Sequence, residues 1–216
     1  MKSHSHSGTP HGDATQGHVI HWAPLYDALF GWMLRRTHGA VIELAAPVAG
    51  ERVLDVGCGT GSLAVALKAT IGQTGSVQGV DASEEMIEVA RRKATRAGVD
   101  AGFQVGLAEA IPFPAQSFDL VVSQLAFHHL PGDLKQRAFK EIHRVLKPGG
   151  RCLIVDFEPP KTALGRLVGR MHLGPEMMQT DVRHYRPLME EAAFKDVESG
   201  RTRHRLLSYV RGRAAR

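Results

Sequence analysis

VLDVGCGTG, residues Val53–Gly61, is the stretch from which the fold can be read. Val53, Leu54 and Val56 surround Asp55, and the chain then turns on three alternate glycines, Gly57, Gly59 and Gly61. A helix-compatible run, Ser62–Ile71, follows at once. Glycines in a strand-to-helix turn let the backbone approach a ligand where a Cβ would stand in the way.

Working outward, strands and helices alternate. Predicted strands cover Arg52–Val56, Ser76–Asp81, Ala101–Gly106, Phe118–Ser123 and Arg151–Phe157. Predicted helices cover Ser62–Ile71, Glu84–Ala97 and Leu134–Val145. Such alternation implies an α/β domain, a parallel sheet with helices on both faces. FDLVV and CLIVDF are near-continuous apolar runs, as doubly covered strands should be. The end of the chain breaks the pattern. A short helix, Pro187–Ala193, leads into Phe194–Arg201 and Leu206–Arg211, which read as an antiparallel pair added to the sheet. Upstream, Trp22, Leu25, Tyr26, Leu29, Phe30, Met33 and Leu34 recur at helical spacing, and His38–Leu44 continues that helix or forms a second.

Two cofactor classes use a strand, glycine turn and helix. Dinucleotides set their pyrophosphate on the helix N-terminus. S-adenosylmethionine brings a sulfonium, an ammonium and a carboxylate but no phosphate. The dinucleotide fingerprint needs Gly or Ala where this chain has Ser62. Asp55, just ahead of the turn, would repel a pyrophosphate and suits an ammonium. Asp81 stands at the end of the second strand, where a carboxylate can accept from both ribose hydroxyls; alone it reads equally as an N-cap, a role open to Ser83 too. A nicotinamide-dependent oxidoreductase is therefore a distant alternative.

With VLDVGCGTG, GVDASEEMI (Gly79–Ile87), IPFPAQSFDLVVS (Ile111–Ser123) and LKPGGR (Leu146–Arg151) in this order, the chain resembles the class I S-adenosylmethionine-dependent methyltransferases, in the group that includes the ubiquinone and menaquinone biosynthesis enzymes. The resemblance spans about Tyr26–Arg211. It implies a Rossmann-like, doubly wound, seven-stranded sheet of order 3-2-1-4-5-7-6, mostly parallel with an antiparallel C-terminal strand. It implies that Asp55, Gly57, Cys58, Gly59 and Gly61 border the methionine part, that Asp81 binds the ribose, and that Ala82 and Met86 pack near the adenine. Ala108 would offer its N–H to the adenine, with Leu107 and Glu109 beside it; relatives commonly carry an acidic residue where this chain has Leu107. Ser123 joins the cofactor set, and Tyr26 is read as a lid or cofactor contact, against plain core packing. LKPGG and Pro112–Pro114 read as structure, a tight turn and a packing plug.

Methyl transfer needs alignment and exclusion of water, and a base only where the nucleophile carries a tightly held proton. Candidates follow the fourth strand: Ser123 and Gln124, and above all His128 and His129 as catalytic residues, since neutral imidazole can take a proton near neutral pH. The structural alternative is that a histidine packs or caps the next helix. Lys161–Leu173, KTALGRLVGRMHL, is a basic amphipathic segment, read first as a lid and second as a peripheral membrane contact. With Pro175, Met177 and Met178 it suggests a bulky small-molecule or lipid-like acceptor.

The totals set outer bounds. A chain of 216 residues suffices for one domain, with net charge +5 and 43% hydrophobic residues. No run reaches the roughly 20 apolar residues of a membrane span, and no signal peptide is visible. Cys58 and Cys152 sit where a disulfide framework is not expected, so a cytoplasmic setting is. Residues 1–17 read as a disordered His-rich tail, and 18–216 as one methyltransferase domain with an N-terminal lid helix (18–44) and an insertion (159–186). The tail's His4, His6, His11 and His18 read as solvated rather than as a metal site. Arg201, Arg203, Arg205, Arg211, Arg213 and Arg216 invite an RNA methyltransferase reading, but Ser123–Ala126 lacks the Asn/Asp-Pro-Pro-aromatic motif of base-amine enzymes. No specific nucleic-acid partner is expected. A protein methyltransferase and a non-catalytic, cofactor-binding regulatory subunit are the remaining alternatives, and a monomer or homodimer is expected.

Overall fold

The computed structural model describes residues 36–158, 181–204 and 206–215. The expectations for residues 1–17, for Tyr26 and most of the lid helix, and for Lys161–Leu173 with Met177 and Met178 lie outside the described residues.

Seven strands form one sheet: β1 (Arg52–Val56), β2 (Ser76–Asp81), β3 (Ala101–Val105), β4 (Phe118–Gln124), β5 (Leu146–Phe157), β6 (Lys195–Arg201) and β7 (Leu207–Arg213). Their order is β3-β2-β1-β4-β5-β7-β6. The first five run parallel, and β7 lies antiparallel between β5 and β6. Helical residues 36–45 (α1), α2 (Ser62–Ile71) and α3 (Glu84–Ala97) cover one face; α4 (Gly132–Val145) and α5 (Tyr185–Glu191) cover the other. Val53, Val77, Leu120, Val122, Leu153 and Val155 face the first layer, while Leu54, Val56, Val80, Val121 and Ile154 face the second. That split is the two-residue pleat of strands apolar on both sides.

Local chemistry sets the helix ends. The Ser83 hydroxyl accepts from the Met86 N–H at 3.3 Å and caps α3, Glu84 and Glu85 favour its first turn, and Gly98 closes it in a left-handed conformation. Ser83 rather than Asp81 is thus the cap, which leaves Asp81 for another role.

Several boundaries differ from the sequence reading. Helix α4 begins at Gly132, and α5 at Tyr185 rather than Pro187, because a helix tolerates proline in its first turn. LKPGG is not a separate turn: β5 begins at Leu146, and the segment bulges between the pairs Phe118–Leu146 and Leu120–Arg151, with Gly149 at φ 78°. Strand β6 starts at Lys195, and β7 runs on to Arg213. The expected plug is present, Phe113 meeting Phe118 edge-on at 5.0 Å. Among the described residues no helix is long and apolar enough to cross a membrane.

Candidate functional site

Between β1 and β4 the strand order reverses, β1 to β3 running one way and β4 and β5 the other. Ligands bind at the carboxyl ends of strands at such a switch point. A cavity lies there, walled by Asp55, Gly57–Thr60, Ser62 and Leu63 from the glycine turn, Asp81–Ser83 and Met86 from the β2 end, Gln124–Ala126 and His129 from beyond β4, and His38 from α1.

The turn is tied to β2, since the Gly57 and Cys58 N–H groups donate to the Val80 carbonyl at 2.8 and 3.0 Å. Its glycines do different work. A Cβ on Gly57 would stand 2.3 Å from the Ala126 Cβ, and one on Gly61 would strike Ala90 and Phe103 at 2.8–2.9 Å. A Cβ on Gly59 would meet nothing within 4 Å, because Gly59 faces the cavity. Lys93 donates to the Thr60 and Ser62 hydroxyls and braces the turn from α3.

Two carboxylates mark the floor. Asp55 is buried, and its Oδ2 has no hydrogen-bond partner among the described residues. Burial, and next the nearby Asp81 charge, push its carboxyl up to about 7 against a hydrogen bond from the Ala64 N–H. Asp81 accepts from the Gly59 N–H at 2.8 Å and the Ser83 N–H at 3.0 Å, one on each oxygen. Burial raises its carboxyl and those two bonds oppose the rise. An ionised carboxylate has about four acceptor positions, so about two remain for a ligand. Burial, then the charges of Asp55 and Asp81, hold the Cys58 thiol well above its usual range, so it is an unreactive wall group.

Of the residues singled out from sequence, the cavity gathers Asp55, Gly57, Cys58, Gly59, Asp81, Ala82, Met86, Gln124 and His129. Gly61 stands behind the wall, against α3. Ser123 is buried within the sheet, its hydroxyl without a partner among the described residues. Leu107, Ala108 and Glu109 form a tight bridge closed by the Ala110 N–H on the Leu107 carbonyl at 3.2 Å, beyond the wall residues. His128 turns inward: its Nδ1 lies 2.8 Å from Asp156 Oδ1.

Sequence reasoning missed His38, Leu125, Ala126 and Asp156. His38 gives no local signal; it arrives because Gln124 bonds Thr37 and draws α1 to the end of β4. Asp156 carried a signal, an acidic residue closing an apolar parallel strand, as Asp55 and Asp81 do. Arg201 pairs with Glu158 at 2.9 Å, Arg203 with Glu43 at 3.5 Å, and Arg211 with Glu198, so these arginines face carboxylates of the same chain. No group of three or more His, Cys, Asp or Glu that could hold a metal occurs among the described residues.

Comparison with known proteins agrees with this geometry. A methyltransferase-domain family profile matches residues 53–150. The demethylmenaquinone methyltransferase of Thermus thermophilus is 38% identical over 155 residues, covering 69% of this chain and 69% of that protein. An uncharacterized methyltransferase of Bacillus subtilis, YcgJ, is 42% identical over 124 residues, 57% of this chain and 47% of that one. The ubiquinone/menaquinone biosynthesis C-methyltransferase of Pseudomonas putida is 34% identical over 172 residues, 76% and 66% respectively. The chain thus spans about half to two thirds of the length of these relatives. Among solved structures, a methyltransferase of Aquifex aeolicus superposes with TM-score 0.70 at 22% identity, over 82% of this chain and 89% of that one. Phosphoethanolamine N-methyltransferase 2 of Haemonchus contortus, in complex with S-adenosylmethionine, gives 0.71 at 16% identity over 92% and 61%. At these identities the two structures speak for the fold.

Proposed function

The chain belongs to the class I S-adenosylmethionine-dependent methyltransferases, and on that footing we propose that it methylates a small apolar acceptor that carries an acidic proton, a reduced quinone or a related phenol or lipid-like molecule. The observation that carries the reading is the buried Asp55 Oδ2, left without a partner among the described residues on the cavity wall beneath an open Gly59. An unpaired buried carboxylate is costly unless a cation meets it, and the methionine ammonium is such a cation. The residues present fit the cofactor. Asp55 would accept from the ammonium, Gly59 leaves room for the methionine chain, the remaining positions of Asp81 suit two ribose hydroxyls, and Met86 offers an apolar flank to the adenine.

When bound, S-adenosylmethionine would supply a methyl group activated by its sulfonium, the sulfur keeping the bonding electron pair as the methyl passes to the acceptor. The chain orients, excludes water and handles the acceptor's proton. His129 would receive that proton; its imidazole lining the cavity wall beyond β4 supports the role. Taking the proton makes it imidazolium, and release to water restores it.

Two relatives are named for menaquinone and ubiquinone biosynthesis, which supports a quinol-type acceptor and carbon as the methylated atom. The pairing of Arg201, Arg203 and Arg211 with carboxylates of the same chain speaks against a nucleic-acid track. Calorimetric titration with S-adenosylmethionine, followed by labelled methyl transfer to a panel of quinols, phenols, small amines and tRNA, tests the reading. Binding with preferential labelling of a quinol or phenol is the expected result. Absence of binding, or preferential labelling of tRNA or protein, would overturn it.

A further inference from the structure

We infer that Asp156 is a positioning residue for the acceptor side of the site: it holds the His128 imidazole with its proton on Nδ1 and, through the contact of the two tilted rings, sets the orientation of His129 at the cavity wall. The inference rests on the methyl-transfer reading above.

Asp156, near the end of β5, has no solvent exposure and four groups around its two oxygens. Oδ1 accepts from the Phe157 N–H at 2.8 Å and lies 2.8 Å from His128 Nδ1. Oδ2 accepts from the His128 N–H at 2.8 Å and from the Tyr185 hydroxyl at 3.4 Å. Amide N–H groups only donate, and a carboxylate accepts at all of its roughly four positions only when ionised. With two amide N–H groups and a hydroxyl directed at its oxygens, Asp156 is set as the acceptor, and the proton between Oδ1 and Nδ1 rests on the imidazole. That fixes the tautomer: Nδ1–H faces Asp156, and in the neutral ring Nε2 keeps the lone pair.

The same carboxylate grips the backbone. Phe127–His129 is a single 3₁₀ turn, and the Asp156 bond to the His128 N–H pins its middle residue. The His128 ring is held between the edge of Phe157, 5.1 Å and 70° away, and the His129 ring, with centroids 3.9 Å apart. One buried group thus sets the backbone of the turn, the ring of its inward histidine and, by contact, the ring of the histidine on the wall. Tyr185, which opens α5, ties the far side of the described chain into the same point. Asp156 does not itself line the cavity, so its loss should spare cofactor binding and degrade transfer.

The test has a spectroscopic arm and a kinetic arm. Imidazole ¹⁵N shifts of the labelled full-length protein should show His128 protonated on Nδ1. In Asp156→Asn one acceptor oxygen becomes an N–H₂ that can only donate: facing Nδ1 it moves the proton to Nε2, and facing the His128 N–H it breaks that backbone bond, so either the His128 ¹⁵N shifts or its amide exchange should change. With a short-chain naphthoquinol as probe acceptor, Asp156→Asn should lower kcat by at least about tenfold, within the range that positioned bases supply. Its Kd for S-adenosylmethionine should stay within about threefold. His128→Gln, which removes the ring in contact with His129, should give the same split, and it decides the kinetic arm if the Asn variant does not fold. An Nε2–H tautomer in the native protein, or native kcat in the folded variants, would overturn the inference. Failure of the native protein to methylate any acceptor would instead sink the functional reading, with the tautomer measured independently.

Discussion

Asp55 and Asp156 are both buried carboxylates near the ends of parallel strands, and they are opposites. Asp55 lies on the cavity wall and keeps an oxygen without a partner among the described residues. Asp156, on the acceptor side, is saturated by its neighbours' donors from β5, the turn after β4 and α5. The first leaves an acceptor oxygen open to a ligand; the second is satisfied internally and holds other side chains still. A site that receives a charged cofactor needs an unfinished polar group, and one that aligns a neutral acceptor needs rigid ones.

The largest effect expected is at the seam between these regions. Gly57 touches Ala126, and its φ of 70° suits glycine. Gly57→Val should cost about 4–6 kcal/mol, combining overpacking and backbone strain, and should abolish cooperative unfolding or move it far down in urea. Gly59→Ala should cost only about 1 kcal/mol of stability, because its Cβ enters open space, yet weaken S-adenosylmethionine at least about tenfold. If both variants lose stability alike, the cavity does not lie where Gly59 faces.

Asp55 comes next. Its carboxyl is raised to about 7 in the fold from the ordinary 3.8, so the neutral form is the one the apo fold prefers. Its contribution is fully present below the unfolded value near 4 and is lost as pH rises through about 7. Asp55→Asn should therefore make the apo protein more stable by about 3–4 kcal/mol at pH 8 and hardly change it at pH 4. The same variant should bind S-adenosylmethionine about 10–100-fold more weakly, having lost the ammonium's partner. In the native protein, binding should tighten from pH 6 to 8 with proton release at pH 6, measurable by titration calorimetry in buffers of different ionisation enthalpy. The Asp156 side offers no such gain, since Asn there strands a donor.

The cofactor side was legible in the sequence because its geometry is local. VLDVGCGTG places strand, turn and helix within one segment, and Asp81 follows one β–α unit later. The acceptor side was legible only as a list. His128 and His129 are adjacent, and in a 3₁₀ turn successive side chains point about 120° apart, so one turns in and the other out. Nothing local says which; Asp156, 28 residues on, decides it. The LKPGG bulge escaped for a similar reason, since a glycine pair that ends a turn and one that bulges within a strand differ only in what the partner strand does.

A smaller effect separates the loop between β3 and β4 from both. Arg144 pairs with Glu141 at 2.7 Å through two nitrogens and donates to the carbonyls of Ile111 and Phe113 at 2.9 and 2.8 Å. The Arg144 hydrogen bond is the main reason the Glu141 carboxyl lies below its ordinary value. Both side chains are partly exposed, which screens the pair. Arg144→Met should cost about 1–2 kcal/mol in urea unfolding and speed exchange of the Ile111 and Phe113 amides. The tautomer of His128 should not change, and a change would mean that the two sides are coupled through α4.

The smallest effect is a reversal of sign. Leu125 lines the cavity just after β4 with φ 55°, a left-handed conformation rare for leucine, while its N–H is held by the Val155 carbonyl at 2.9 Å. Leu125→Ala removes the side chain and keeps the strain; Leu125→Gly removes both. At an ordinary position glycine is less stable than alanine by roughly 0.5–1 kcal/mol. Here the glycine variant should be the more stable of the two by about 1 kcal/mol, since only it relieves the left-handed penalty. Paired urea titrations read this directly. If alanine is the more stable, the backbone after β4 is not left-handed in solution, and the turn that carries His128 and His129 leaves the sheet by another route.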